Sequence, residues 1–114
     1  MHELAITKHI LDILTKESQE RNIPITKATV EIGILTTYKA DPITYYFDLQ
    51  KKDNIKNTVL TINTINGKLK CNNCKEESVI TEPTMTCPKC QSTNTTITKG
   101  KDIIIKTIEV DDGN

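Results

Sequence analysis

Two segments of the chain have apolar residues at the spacing of an α-helix. In residues 3–21 the apolar positions recur at steps of three and four, and Pro24 ends any helix before it. The apolar side chains of this segment are Leu4, Ile6, Ile10, Leu11, Ile13 and Leu14. Asp41 followed by Pro42 is typical of a helix start, with an acidic cap and then proline at the first helical position. A second, shorter helix is therefore predicted over residues 42–52, and the side chains on one side of it are Ile43, Tyr46, Phe47 and Gln50.

Three other segments have the pattern of β-strands. Residues 26–35 alternate between apolar and polar positions, which predicts a strand with one buried face. The residues on that face are Ala28, Val30, Ile32 and Ile34. Residues 57–65 and 102–110 are rich in β-branched residues and predict two more strands, and the Thr-rich stretch 92–98 alternates enough for a short one.

These elements predict an α+β fold: a small three-stranded sheet with two helices, and an inserted zinc-ribbon-like module. The body would consist of residues 1–65 and 101–114. The module would consist of residues 66–100, which contain all four cysteines and are bracketed by Gly67 and Gly100.

Composition narrows the class of protein. The chain has 114 residues, one Phe and no Trp, so its core should be aliphatic. Fifteen basic residues balance fifteen acidic ones, which argues against a nucleic acid as the main partner. No secretion signal and no apolar run of about 20 residues is visible, so we expect a soluble, cytoplasmic protein. We also expect a protein that is not an enzyme, since no Cys/His dyad, paired carboxylates or phosphate-cradling glycine loop stands out.

The four cysteines form two close pairs with the spacing C-x2-C-x12-C-x2-C. In a reducing compartment Cys71, Cys74, Cys87 and Cys90 are better explained as metal ligands than as disulfides. Two residues between cysteines let the chain curl so that both thiolates point at one ion, and two such knuckles complete a tetrahedron. Four thiolates leave no open coordination position, so we expect a structural zinc site.

Two other interpretations of the cysteine region stay open at the level of the residues. Rubredoxins also use two knuckles with a Cys-Pro step, so a rubredoxin-like iron electron carrier is one alternative, although residues 66–100 contain no aromatic residue. A zinc-ribbon module that binds nucleic acid or another protein is the second. Five lysines against three glutamates in residues 66–100 give too small a basic excess for strong phosphate binding.

The chain begins with Met1-His2-Glu3, a sequence that can chelate a metal. The Met1 amine, the His2 backbone nitrogen and the His2 Nδ1 atom can form adjacent chelate rings, with the Glu3 side chain as a further donor. Nitrogen donors in a plane suit Ni(II) or Cu(II). By itself this pattern is weak, and the other histidine, His9, is expected to lie on the surface.

The combination of these features resembles the HypA family of hydrogenase/urease nickel incorporation proteins. The resemblance covers essentially the whole chain and rests on the start Met1-His2-Glu3, the segments 30–33 (Val-Glu-Ile-Gly) and 108–110 (Ile-Glu-Val), and the paired cysteines. It implies a nickel metallochaperone that matures [NiFe]-hydrogenase, and in some organisms urease, together with the GTPase HypB. The hydrogenase large subunit or its assembly complex would receive the nickel, and the chain would be a monomer or weak dimer.

The resemblance also implies roles for single residues. His2 would be the essential nickel ligand, assisted by Met1 and Glu3, with Asp41 also implicated, and the four cysteines would hold zinc. The sequence departs from many relatives at residues 40–44, which keep one acid and the proline of a Glu-Pro-Glu type segment. It also has no histidine near the cysteines, so the fourth nickel donor is not identified.

Overall fold

The computed structural model describes residues 2–36 and 38–111, with His2 described by its backbone alone. The elements, in chain order, are α1 (His2–Arg21), β1 (Ile25–Gly33), α2 (Ala40–Gln50), a 3₁₀ turn (Asp53–Ile55), β2 (Val59–Ile65), β3 (Gly67–Cys71), β4 (Glu77–Ile80), β5 (Thr95–Lys99) and β6 (Ile103–Val110). One three-stranded sheet has the order β2-β1-β6 and a second has the order β4-β3-β5. Of the helices in these described parts, none is long and apolar enough to cross a membrane. The predicted α+β fold with two helices, a three-stranded sheet and an inserted small module is confirmed.

The described chain divides into two compact units. The first is built from residues within 1–30, 38–63 and 105–114, and the second from residues within 31–37 and 64–104. The second unit therefore contains the end of β1 and the connection that follows it, in addition to the cysteine region.

The first unit has an aliphatic core around one aromatic ring. Helix α1 packs against α2 and the 3₁₀ turn, and Leu14, Ile43 and Phe47 are fully buried. Alternation along β1 buries Ala28, Val30 and Ile32, as its sequence predicted, whereas Ile34, the fourth residue of the predicted face, lies beyond the end of the strand and is half-buried. The buried Thr58 hydroxyl donates to the Ile25 carbonyl at 2.6 Å, so its polar atom is satisfied inside this core.

The start of α2 differs from the prediction. The helix begins at Ala40 with Lys39 as its N-cap residue, and no side chain caps it; the predicted acidic cap at Asp41 is wrong. Instead the Lys39 amide donates to Glu3 Oε2 at 3.2 Å, so a carboxylate from α1 binds the chain where α2 starts. Pro42 is accommodated in the first turn because the first four N–H groups of a helix have no intrahelical acceptor.

The second unit is a small antiparallel sheet over a core that includes two of the cysteines. Lys70 pairs with Glu77 and Gly67 with Ile80 between β3 and β4, and β3 also pairs with β5 through an irregularity between Lys68 and Leu69. The buried residues of its core are Leu69, Cys71, Ile80 and Cys87, and the partly buried residues packed on them are Leu35, Cys74, Cys90 and Ile97.

Three glycines meet backbone to backbone in the second unit. A Cβ atom on Gly33 would overlap the Gly100 carbonyl oxygen, and one on Gly100 would lie 2.6 Å from the Gly67 Cα atom. The contact is also hydrogen-bonded, since the Leu35 amide donates to the Gly100 carbonyl at 2.8 Å. Gly100 has φ +99°, a conformation that side chains disfavour. The glycines that bracket the cysteine region are therefore the points at which its two ends meet.

Replacement of Gly33 tests this contact. We expect Gly33→Ala to lower the free energy of unfolding by about 1–3 kcal/mol, because its methyl group overlaps the Gly100 carbonyl, which is held by the Leu35 amide. Denaturant unfolding of the metal-loaded protein measures the change, with Asn63→Ala, an exposed position of β2, as the control. Equal midpoints for Gly33→Ala and the parent would contradict the close approach.

Candidate metal centre

The first cysteine knuckle forms where β3 ends. Cys71 is the last residue of the strand, and the chain then turns so that the Lys75 amide donates to the Cys71 carbonyl at 3.0 Å. The Cys71 amide in turn donates to the Glu76 carbonyl at 2.9 Å. Lys75 takes φ 67°, and this left-handed residue turns the chain back into β4.

The second knuckle repeats the same backbone hydrogen bonds between β4 and β5. The Gln91 amide donates to the Cys87 carbonyl at 2.9 Å, and the Cys87 amide donates to the Ser92 carbonyl at 2.9 Å. Gln91 takes φ 66°, matching Lys75 in the first knuckle. The two halves of the site are thus copies of one local structure, as the repeated spacing suggested.

The two knuckles bring four sulfur atoms together. All four Sγ atoms lie within 4.8 Å of one another, with Cys71 3.5 Å from Cys90 and Cys74 3.7 Å from Cys87. A tetrahedral ion with metal–sulfur bonds of about 2.3 Å has sulfur–sulfur edges of about 3.8 Å. None of these cysteines is in a disulfide, so the geometry fits one tetrahedral metal ion bound by four thiolates.

The cysteines differ in exposure according to their position in the knuckle. Cys71 and Cys87, the first residues of each pair, are fully buried, whereas Cys74 and Cys90 are half-buried. Solvent therefore reaches the cluster from the side of the second cysteines. Ligand exchange with an outside chelator should begin on that side.

Backbone amides make two of the sulfurs acidic. The Cys74 amide has the largest effect on Cys71 and lowers its pKa, whereas burial raises it. The Asn73 amide and the thiols of Cys90 and Cys74 lower it further, so the pKa of Cys71 is about 6. The amides of Cys90 and Lys89 lower the pKa of Cys87 in the same way, against burial. Donors aimed at a sulfur favour its charged form, which is the form that binds a metal.

Cys74 has the opposite shift. The Glu76 amide lowers the pKa of Cys74, but burial and the three neighbouring sulfurs outweigh it and raise the pKa to about 12. Without a cation, four thiolates this close cannot all ionise. A metal must therefore displace at least the proton of Cys74.

Proton release on metal binding is a measurable consequence. At about pH 7 we expect Zn(II) to release at least one proton per ion, from Cys74. Below the Cys71 pKa of about 6 a further proton has to leave, so the affinity should fall as pH falls. Calorimetric titration in buffers of different ionisation enthalpy measures both effects. A binding heat independent of the buffer would contradict this protonation pattern.

Two of the candidate nickel residues, Glu3 and Asp41, lie at the start of the two helices of the first unit. Met1 and the His2 side chain lie outside what the structure describes, so the predicted chelate is not tested by the coordinates. Glu3 is half-buried in the first turn of α1, and its Oε2 atom accepts the Lys39 amide. Asp41 is exposed in the first turn of α2, two residues beyond that hydrogen bond. The other histidine, His9, is exposed as predicted.

Sequence reasoning missed two contacts near these sites. The hydrogen bond from Lys39 to Glu3 joins residues 36 positions apart, and no local pattern signals it. The second missed feature is Asn73, whose backbone and side chain both donate to cysteine sulfurs. The two adjacent asparagines inside a knuckle were the visible signal for it.

Comparison with known proteins identifies the family of this chain. The family model described as "Hydrogenase/urease nickel incorporation, metallochaperone, hypA" matches residues 1–110. The hydrogenase maturation factor HypA of Rippkaea orientalis is 34% identical over 98% of this chain and 97% of its own length. That of Caldanaerobacter subterraneus subsp. tengcongensis is 32% identical over 97% of this chain and 100% of its own.

Solved structures agree in fold. The solution structure of the Ni metallochaperone HypA from Helicobacter pylori has a TM-score of 0.68 at 19% identity, over 95% of this chain and 96% of that one. A second solution structure, of a HypA protein, gives 0.70 at 20% identity, over 96% of both chains. With the family model spanning nearly all of the sequence, this chain belongs to the HypA family of hydrogenase/urease nickel incorporation metallochaperones.

Proposed function

We propose that this chain binds Ni(II) through Met1, His2 and Glu3 and delivers it during maturation of [NiFe]-hydrogenase, or of urease, while its four cysteines hold a structural zinc ion. The observation that carries the nickel site is the hydrogen bond from the Lys39 amide to Glu3 Oε2, at 3.2 Å. It brings the first turn of α2, with Asp41, beside the first turn of α1. Two carboxylates therefore belong to the same end of the first unit as His2.

The position of His2 in the helix suits metal binding. Helix α1 begins at His2, so the His2 amide is among the first N–H groups, which have no intrahelical acceptor. A metal can take this nitrogen without breaking a helical hydrogen bond. The proposal requires a free amine at Met1.

Helix dipoles make this a site for transfer rather than for storage. Each helix N-terminus carries a partial positive charge of roughly half a unit, and the starts of α1 and α2 lie together here. That charge opposes a cation, and the carboxylates of Glu3 and Asp41 offset it. Few donors in an exposed place suit micromolar affinity, about −8 kcal/mol, and stepwise exchange to an acceptor.

The four cysteines suit zinc in a structural role. Sulfur ligands in a closed tetrahedron leave no position for substrate, and a unit this small gains its stability from the ion. Zinc rather than iron is proposed because residues 66–100 contain no aromatic residue to surround a redox centre. A colourless protein with one zinc per chain is the expected preparation, and a red one containing iron would contradict this assignment.

The partners follow from the proposed transfer. A protein that carries Ni(II) needs an acceptor in the cytoplasm, and we propose the GTPase HypB together with the hydrogenase large subunit or its assembly complex. The description of the family as hydrogenase/urease nickel incorporation proteins supports this role, and catalysis of a reaction by the chain itself is not part of it.

The two histidines of α1 provide a matched test of the nickel site. We expect His2→Ala to abolish Ni(II) binding because it removes the ring nitrogen of the chelate, whereas His9→Ala, an exposed position of the same helix, should bind as the parent does. Equilibrium dialysis measures nickel, and elemental analysis should find zinc unchanged in both variants. A single glycine added before Met1 should weaken binding as well. The site is wrong if His2→Ala and the extended chain both bind nickel like the parent.

Neutral variants of similar shape test whether the charges of Glu3 and Asp41 contribute to nickel binding. We expect Glu3→Gln and Asp41→Asn each to weaken Ni(II) binding about fivefold, or roughly 1 kcal/mol, by leaving the helix dipoles less opposed. The Gln amide oxygen can still accept the Lys39 hydrogen bond, so the thermal midpoint should change little. Glu17→Gln, at the far end of α1 beside Arg21, is the control. Equal nickel affinities in all three variants would remove the carboxylates from the site.

A further inference from the structure

Asn73 lies inside the first knuckle and contacts sulfur atoms of both knuckles. Its backbone amide donates to Cys71 Sγ at 3.3 Å, and its side-chain Nδ2 donates to Cys90 Sγ at 3.9 Å. These two sulfurs are themselves 3.5 Å apart. One residue thus spans the edge of the cluster at which the knuckles meet.

The other sulfurs receive backbone donors from within their own knuckle. Cys71 accepts from the amides of Asn73 and Cys74, Cys87 from those of Cys90 and Lys89, and Cys74 from that of Glu76. Cys90 receives a side-chain donor from the opposite knuckle. A donor of this kind depends on one replaceable side chain, so its contribution can be measured.

The negative charge of the thiolates explains why the hydrogen bond from the Asn73 side chain matters. Four thiolates around a divalent cation leave a net charge of −2, which amide donors spread over the surrounding chain. Hydrogen bonds to charged acceptors are stronger than neutral ones, and outer contacts to metal ligands hold them in place. The thiolate also fixes which end of the asparagine faces it, since the Nδ2 group is the donor and the carbonyl oxygen would be repelled.

We propose that Asn73 is a positioning residue that holds the Cys90 thiolate on the metal and slows release of the ion. Cys90 is half-buried and, like Cys74, lies on the side that solvent reaches, so loss of its Asn73 donor should make Cys90 the first sulfur to dissociate. The inference rests on the proposed four-cysteine metal site and not on the nickel site.

Two neighbouring contacts provide matched controls. Asn72, the adjacent asparagine, donates through Nδ2 to Asn94 Oδ1 at 3.2 Å and to Thr96 Oγ1 at 3.3 Å, so its side chain supports the same knuckle without a contact to sulfur. The Lys89 ammonium lies 3.3 Å from Glu76 Oε2, an exposed ion pair that spans the two knuckles in the same way. Asn72→Ala therefore removes a contact that supports the first knuckle, and Glu76→Gln removes an ion pair between the two knuckles.

The first measurement is the rate of metal transfer from the purified full chain to a chromophoric chelator. We expect Asn73→Ala to release Zn(II) about tenfold faster than the parent, and Asn73→Asp faster still, because its carboxylate repels the thiolates. Asn72→Ala and Glu76→Gln should stay within about twofold of the parent, since the side-chain contacts that they remove do not involve a sulfur. Equal rates for Asn73→Ala and the parent would overturn the proposal, as would an equal acceleration in Asn72→Ala.

The second measurement identifies which sulfur leaves first. Trypsin cleavage after lysine separates Cys90 in residues 90–99 from Cys87 in residues 76–89 and from the first pair in residues 71–75. Brief alkylation of the zinc-loaded protein followed by mass spectrometry should label the Cys90 peptide first in Asn73→Ala. Preferential labelling of another cysteine peptide in that variant would overturn the assignment.

Cobalt substitution tests the Asn73 hydrogen bond separately from the metal site. The parent and Asn73→Ala should both give the absorption of tetrahedral Co(II) with four thiolates, with the charge-transfer band shifted in the variant because one sulfur loses a donor. An unshifted band in Asn73→Ala would count against the hydrogen bond. A parent that gives no such spectrum would instead refute the proposed metal site itself.

Discussion

The convergence of four sulfur atoms is the constraint on which the second unit depends. The buried cluster around the cysteines consists of two aliphatic residues, Leu69 and Ile80, beside Cys71 and Cys87, far less than a domain needs to fold by burial alone. The same closeness that makes the sulfurs a ligand set makes them repel one another when ionised. Against the Glu76 amide, the pKa of Cys74 is raised to about 12 by burial and by that repulsion. A cation removes the repulsion, so metal affinity and folding of this unit are one free energy.

Close backbone contact sets where this unit begins and ends. Gly33, Gly67 and Gly100 approach so closely that side chains have no room, and the hydrogen bonds of Gly33 and Leu35 to residues 100–102 run through the same place. The end of β1 is thereby part of the second unit, although it lies more than 30 residues before the first cysteine. An inserted module defined only by the chain between two glycines would miss this contribution.

The sequence revealed elements wherever a long periodic pattern decides the structure. Helix α1 and strand β1 have apolar residues at fixed spacing, and β2 and β6 are rich in β-branched residues, so these four elements could be predicted directly. Strand β3 does not: in the five residues Gly67–Cys71 the apolar side chains are Leu69 and Cys71, and its burial makes sense only once the cysteines are known to converge. The prediction of where α2 starts was wrong for a related reason. Local chemistry favoured Asp41 as a cap, but a carboxylate from α1, 36 residues away from Lys39, binds the chain there, and tertiary contacts override local preference.

The two proposed sites select different metals through the chemistry of their donors. Sulfur atoms that are half-buried or buried, each supplied with amide donors, form a closed set that suits zinc and resists exchange. Nitrogen and oxygen donors at the start of two helices suit nickel, but the helix dipoles there oppose any cation. One site is thus stabilised by its surroundings and the other is weakened by them. A carrier needs this asymmetry, because the ion that holds the fold has to stay while the ion that is delivered has to leave.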